Sequence, residues 1–488
     1  MNHTQGAIVA VQFRQACAEF TFRDRRRIRS LTVVLELTAQ SLVQSESIRA
    51  QAGADLKLWP DLRKLWRDLA RTQLSFWDTY DSGDEDEDHD ENEQDRGLCE
   101  LCMNLAKFTR NLVAGVPANQ LRAYENEPDI RRLLHFYTSW SAMEDPKAMA
   151  TARALTQALS NMVTTNDTLV ATLWESYLNL AEDQVVLIRL LGSPDAKTLL
   201  TTLVFILNCI HGSRKRAQLL VKTRVGVRIS IGLLDNMVRL HEAEEGSDAA
   251  KAFDVGYTIF TQFVEAGMIP DLYKKFALKG EIVTPHQTTL LKLVDSYLQS
   301  TQLGTASIQI PDILQTHESL GPFLAKRFFS LSEYAQAAIH RALGMDPTPR
   351  TTNRSDESAT TSGSSDSISS SGPLSAASSS ASTTPDSPPP PKELDVMLPK
   401  VCEALVLLTQ CIITICLEAE EQQMRLEEGI STFVSFANMK SYFVQKKYQD
   451  QGVVEVLIGP YGNPLSPLLF VLSDEAVSLS VSVCLSSL

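Results

Sequence analysis

The sequence predicts an all-α protein. Apolar residues recur at spacings of three and four along most of the chain, alternation of apolar and polar residues is rare, and Gly, Pro or Asn separates the helix-length segments. The clearest segment runs from Leu98 to Val113, where one apolar stripe is followed by Gly115 and Pro117, residue types that end helices. Such a stripe needs a partner, so the pattern predicts helices packed on one another.

The end of this helix recurs further along the chain. Asn111, Asn161 and Asn208 each follow apolar helical residues and precede a small or polar break, and their positions differ by 50 and 47 residues. Repeats of about 40 to 47 residues with two or three helices each are typical of armadillo and HEAT arrays. The spacing therefore predicts an armadillo/HEAT-like right-handed α-solenoid, in which each repeat packs on its neighbours.

Two segments of biased composition interrupt the helical pattern, and we expect both to be disordered insertions. The first is acidic and repels itself, whereas the second is rich in Ser, Thr and Pro and cannot form a core. The sequence thus predicts an N-terminal helical cap, the acidic insertion, armadillo-like repeats, the Ser/Thr/Pro-rich insertion, C-terminal helices and a tail of low order, at residues 1–78, 79–96, 97–345, 346–393, 394–450 and 451–488.

The net charge of −14 is concentrated in one segment. The run from Asp81 to Asp95 holds ten carboxylates and no Lys or Arg, which leaves 45 basic and 49 acidic residues in the rest of the 488-residue chain. The sequence has no basic stripe long enough to neutralise the phosphates of a nucleic acid, so we expect no nucleic-acid partner. The N-terminus lacks a signal-peptide pattern, and the apolar run from Ala404 to Leu417 is shorter than the roughly 20 residues that span a bilayer. We therefore expect a cytoplasmic protein without a membrane partner.

The sequence motifs of the chain favour a non-enzymatic protein. Cys99 and Cys102 have a spacing found in zinc sites, but no second Cys or His pair accompanies them, so packing of both thiols in the core is the simpler interpretation. The common phosphate-binding, metalloprotease, hydrolase and kinase motifs are missing from the sequence. No catalytic residue, cofactor or metal ligand is predicted.

Two basic clusters are predicted to coat solvated turns. They run from Arg23 to Arg29 and from Arg214 to Arg224. The alternatives are contact with the acidic run of the same chain and contact with an acidic partner.

Asn111, Asn161 and Asn208 are candidate partner-binding residues. A side-chain amide both donates and accepts, so a row of amides along a solenoid groove would pair with the backbone of an extended peptide. The alternative is that each amide caps or bonds its own helix end. A transport-type armadillo receptor for linear peptides would also need Trp residues paired with these Asn residues, and Trp140 and Trp174 do not keep that spacing.

The two insertions also contain candidate phosphorylation sites. Ser82 precedes a run of acids, as in substrates of acidophilic kinases, and Thr384 and Ser387 each precede a Pro, as in substrates of proline-directed kinases. Phosphate would add nearly two negative charges at each site.

The segments FTRNLVAGVPANQ at 108–120, QALSNMVTTND at 157–167 and GVVEVLI at 452–458 resemble the ataxin-10 family, whose fungal members are also labelled copper transport protein 86. The resemblance implies a cytoplasmic armadillo-repeat protein that is associated with cytokinesis and cell-survival signalling through protein partners. Self-association is left open. The copper label implies a metal-handling protein, for which the sequence shows no ligand set. The family's C-terminal helical block has no counterpart after Ile458, so we expect a truncated or misread coding sequence there.

Overall fold

The computed structural model describes residues 2–79, 88–181, 185–303, 310–342 and 396–427. Within these ranges the chain forms nineteen α-helices, one 3-10 turn at Tyr124–Asn126, and no strand, which confirms the all-α prediction. The α-helices α1 to α19 are, in chain order, Asn2–Ala18, Arg25–Val43, Glu46–Ala54, Leu58–Thr79, Asp88–Val113, Pro117–Ala123, Glu127–Tyr137, Trp140–Glu144, Pro146–Val163, Asp167–Leu178, Val186–Leu191, Ala196–Ile210, Arg214–Lys222, Arg224–Leu240, Asp248–Glu265, Ile269–Lys275, Pro285–Leu303, Ile310–Ala342 and Leu398–Glu427.

Short polar side chains fix where many helices begin. Asp145 accepts hydrogen bonds from the backbone amides of Lys147 and Ala148 at the start of α9, and Pro146 occupies a position that needs no donor. Caps of the same kind, which accept from an amide two or three residues later, start α2, α3, α10, α12, α13, α14 and α15 at Asp24, Ser45, Asn166, Asp195, Ser213, Thr223 and Ser247.

The helices pack in a regular order. α2 packs on α5, α5 on α9, α9 on α12, and α12 on α15, so each contacts the helix three elements further on, with the short helix α8 inserted before α9. The helices between them follow the same order, because α3 packs on α6, α10 on α13, α4 on α7, and α11 on α14. We call α2, α5, α9, α12 and α15 the central series.

One hydrophobic core runs along the described helices from Val9 to Ile412. Aromatic pairs in this core join different helices. Phe13 of α1 stacks on Phe108 of α5 with ring centroids 4.7 Å apart, and Phe205 of α12 meets the edge of Tyr177 of α10 at 6.1 Å. Burying a large apolar side chain stabilises the fold by roughly 1.5–3 kcal/mol, so the stability of each helix depends on its neighbours.

The turns that follow α5, α9, α12 and α15 share one length and a left-handed middle residue, although the residue after it has a ψ near 90–100° in the first three turns and is helical at Met268 after α15. Each contains three residues, and the middle residue has a positive φ, which is 71° at Gly115, 64° at Thr165, 68° at Gly212 and 69° at Gly267. This left-handed conformation ends the helix and lets the next helix begin two residues later. The predicted repeat ends lie four residues before the first three of these positions, at Asn111, Asn161 and Asn208.

The acidic segment is helical over part of its length. α5 begins at Asp88, so residues 88–96 belong to a helix although the sequence predicts a disordered insertion over 79–96. The first turn of a helix has unpaired backbone amides and the positive end of the helix dipole, and both favour carboxylates. This attraction offsets the repulsion between the acids that motivated the prediction.

Other predictions concern residues that the structure does not describe. They are the remainder of the acidic insertion at 80–87, the Ser/Thr/Pro-rich insertion at 346–393, the end of the C-terminal helices beyond Glu427, the tail at 451–488, and the phosphorylation candidates Ser82, Thr384 and Ser387. Within the predicted C-terminal helical segment 394–450, α19 accounts for Leu398–Glu427.

We predict that Thr165→Gly raises the free energy of unfolding by about 0.5–1 kcal/mol, because a β-branched residue is strained in this left-handed turn and Gly is not. The matched substitution Gly212→Ala should lower the same free energy by about 1 kcal/mol. A Cβ added at Gly212 meets no atom within 4 Å, so no steric contact contributes to the measured change. Urea unfolding followed by circular dichroism checks both values, and the opposite sign in either variant would contradict the shared turn.

Candidate partner-binding face

The Asn residues at the predicted repeat ends connect consecutive helices of the central series. Nδ2 of Asn111 donates a hydrogen bond to the backbone oxygen of Ala39 at 2.9 Å, which joins α5 to α2. Nδ2 of Asn161 donates to the backbone oxygen of Arg110 at 3.2 Å, which joins α9 to α5. Both amides therefore bind the helix that precedes their own helix in the series.

Asn208 continues this arrangement. Its Nδ2 atom lies 2.9 Å from the Ser160 hydroxyl oxygen and 3.2 Å from that of Thr164, so α12 is joined to α9. The side chain of Asn111 is buried by its contacts, whereas Asn161 and Asn208 are half-buried. The structure thus gives the three amides a role that sequence analysis does not consider, which is to hold neighbouring helices in register.

Next to these amides, α5, α9 and α12 each present one exposed stripe whose members lie three or four residues apart. The members are exposed or half-buried, and they are Arg96, Glu100, Met103, Lys107 and Arg110 on α5, Arg153, Gln157 and Asn161 on α9, and Lys197, Thr201, Val204 and Asn208 on α12. Nη1 of Arg110 donates to Oε1 of Gln157 at 2.6 Å, so the first two stripes touch. We call this surface the α5–α9–α12 face.

Arg110 is half-buried where α5 contacts α9, near the end of α5. Its Nε donates to Oδ1 of Asn111 at 2.9 Å, and its Nη1 contacts Gln157, so both partners are neutral amide oxygens. Burial lowers the pKa of Arg110 because the guanidinium loses solvation. Among the described residues no carboxylate lies within ion-pair distance of it, so its charge is held in place without being neutralised.

Arg153 has a carboxylate partner instead. Its Nη1 lies 3.1 Å from Oδ2 of Asp195, the residue that caps α12. Burial raises the pKa of Asp195, but hydrogen bonds from the hydroxyl and amide of Thr198 and the charge of Arg153 outweigh burial, so the pKa lies below its ordinary value. The charge of Arg153 is therefore used within the molecule, where it fixes the start of α12 against α9.

The basic cluster at the start of α13 is partly used to cap other helices, rather than only coating a solvated turn. Nε of Arg216 donates to the backbone oxygen of Cys209 at 2.6 Å, and Nη2 donates to that of His211 at 2.9 Å. Nε of Arg214 donates to the backbone oxygen of Ala266 at 3.2 Å. Cations are favourable at helix C-termini because they satisfy unpaired carbonyls and oppose the helix dipole.

The cysteine pair and the tryptophan considered in the sequence lie in the core. Sγ of Cys99 is 3.2 Å from Oγ1 of Thr151, and burial raises the pKa of Cys102 well above its ordinary value, which disfavours a metal-binding thiolate. Trp174 is buried, and its Nε1 donates to the backbone oxygen of Arg216. Among the described residues, no group of three or more His, Cys, Asp or Glu is placed to hold a metal ion.

Neither Arg110 nor Gln157 is among the binding residues that the sequence predicts. Their closeness to the Asn positions in the sequence could have indicated them, because Gln157 precedes Asn161 by one helical turn and Arg110 directly precedes Asn111. The side-chain contact between them joins residues 47 apart in the chain, and local sequence does not specify such a contact.

No family model matches the chain, and no curated protein matches it. In the part of the chain that the structure describes, no individual helix combines the length and the apolar composition that a membrane span requires. α12 and α13 meet these criteria as a pair, with a bend of 115° between them. The functional proposal therefore rests on the fold and on the α5–α9–α12 face.

We predict that Asn111→Ala lowers the free energy of unfolding by about 1–2 kcal/mol, because a buried hydrogen bond between α5 and α2 is lost and Nε of Arg110 loses its acceptor. Asn161→Ala and Asn208→Ala should each cost about 1 kcal/mol. The matched control is Asn179→Ala, since the exposed Asn179 amide bonds the Glu175 carbonyl of its own helix and should cost less than about 0.5 kcal/mol.

Urea unfolding of the four variants checks these values. If all four matched the unsubstituted protein, the amides would not hold the helices together.

Proposed function

We propose that this chain is an armadillo/HEAT-like right-handed α-solenoid and a non-enzymatic scaffold that binds protein partners. The observation that carries the proposal is a recurring unit. Three members of the central series, α5, α9 and α12, are each followed by a three-residue turn with a left-handed middle residue and then by two main helices before the next member. Stacked units of this kind bury a continuous core and leave an extended surface for ligands.

The α5–α9–α12 face is the proposed partner-binding surface. It crosses three consecutive members of the central series, and it combines exposed cations with half-buried amides, which pair with peptide backbone. Because Asn111 is buried by its own contacts, Asn161 and Asn208 are the better placed of the three candidate residues. Gln157, which lies between them and Arg110, adds a third amide to the surface.

The cellular role proposed here is regulation of cytokinesis and cell division in the cytoplasm. It comes from the resemblance to the ataxin-10 family at 108–120 and 157–167. These two segments are equivalent in the structure, since each contains the end of a central-series helix, the left-handed turn and the start of the next helix. This equivalence supports an armadillo-like repeat, and cytokinesis itself rests on the resemblance.

We predict that Val204→Trp releases protein partners that the unsubstituted chain captures. Val204 is 37% exposed on the stripe of α12, so a bulky side chain there blocks the face without entering the core. The matched control is Val238→Trp, which adds the same bulk at a 52% exposed position of α14, outside the face. Affinity purification of the full chain from cells with quantitative mass spectrometry measures the effect.

Partners lost with Val204→Trp and kept with Val238→Trp would support the proposal. Identical partner lists for both variants would contradict binding at this face, and the absence of any specific partner would contradict the scaffold function. Thermal melting of both variants shows whether the added side chains leave the fold unchanged.

A further inference from the structure

The α5–α9–α12 face has a charge that contrasts with the acidic chain as a whole. Its stripes contain the cations Arg96, Lys107, Arg110, Arg153 and Lys197 and a single carboxylate, Glu100. Asp195 lies at the edge and pairs with Arg153. The exposed stripe of α15 carries both signs of charge, because it contains Lys251, Asp254 and Glu265. The helix α2, which packs on α5, also carries exposed cations at Arg25, Arg26 and Arg29, so the basic area extends to that side of the three helices.

Arg110 is a half-buried cation of this basic area, near the end of α5. A half-buried guanidinium that is bonded to two neutral amides has lost part of its solvation without gaining an opposite charge. An incoming carboxylate would supply that charge. Because Gln157 and Asn111 already fix the side chain, little rotational freedom is lost when a ligand binds.

We propose that the α5–α9–α12 face binds an extended acidic segment of a partner protein, and that Arg110 and Lys107 are the main contacts for the carboxylates of that segment. This inference rests on the proposed scaffold function and names its class of partner. Amide side chains at Gln157, Asn161 and Asn208 alternate with the cations, which suits a ligand whose backbone donates and accepts hydrogen bonds while its side chains carry the negative charge.

The dimensions of the face fix the length of the segment. Packed helices lie about 8–10 Å apart, so the distance from α5 through α9 to α12 is roughly 20 Å. An extended peptide rises about 3.3 Å per residue, so about six residues cross the face.

Fluorescence anisotropy with a labelled octaglutamate peptide tests the inference on the full chain. The unsubstituted protein should bind this peptide more tightly than octalysine, and the affinity should fall with added salt. The variant Lys107→Gln/Arg110→Gln should bind about ten-fold more weakly, because two favourable charge contacts are lost. The control Lys274→Gln/Lys275→Gln removes the same charge from exposed positions of α16 and should change the affinity less than about two-fold.

Single Lys107→Gln leaves both hydrogen bonds of Arg110 in place and should still weaken binding about three-fold, which separates binding from any loss of stability in the double variant. Equal losses in the double variant and the α16 control would overturn the inference, as would failure of octaglutamate to bind. Tighter binding of an oligothymidylate of similar charge would favour a nucleic acid and also overturn it. In each case, selective loss of cellular partners with Val204→Trp would leave the scaffold function standing.

Discussion

The hydrogen bonds between consecutive helices of the central series are the constraint on which the rest of the structure depends. Apolar packing alone is non-directional and would tolerate sliding of one helix along the next. A bond from the Asn161 amide to the backbone oxygen of Arg110 fixes both the rotation and the axial position of α9 on α5. Because equivalent amides occur on α5 and α12, the same register is set at three successive contacts, and the exposed stripes are aligned as a consequence.

Contacts between neighbouring helices also determine how a substitution changes the stability of the chain. Each helix of the central series packs on the member before and the member after it, so a lost amide weakens one contact directly and leaves distant contacts in place. In such an arrangement stability is approximately a sum of terms for individual units and for the contacts between them. Asn111 and Asn208 share no partner and are therefore expected to act nearly independently on stability, whereas Asn111 and Asn161 both bond Arg110 and are expected to couple.

The sequence predicts the helices and the repeat ends because their causes are local. The apolar stripe from Leu98 to Val113 and the recurring Asn positions can be seen in the printed chain without any knowledge of packing. The hydrogen-bond acceptor of Asn111 cannot be identified from the sequence, since Ala39 lies 72 residues away and becomes a neighbour through the packing of α2 on α5. Thr165 is a similar case, because a β-branched residue gives no indication of a left-handed turn.

The charge of the α5–α9–α12 face shows why the charge of the whole chain and the charge of one surface have to be treated separately. Most of the excess negative charge lies in the run from Asp81 to Asp95, so the net charge of the chain describes that run and not the surface of the packed helices. The potential at a surface depends on the charges near it, and the α5–α9–α12 face is locally basic.

Arg110 makes this local charge costly in the free protein, because its partially desolvated guanidinium has amide partners and no described carboxylate. A fold selected for stability alone would pair that guanidinium, as it pairs Arg153 with Asp195. A rigidly held cation without a carboxylate partner gains a favourable charge contact when an acidic ligand binds, and this contact contributes free energy to binding. The difference between these two arginines is therefore the strongest physical argument that the face serves binding as well as packing.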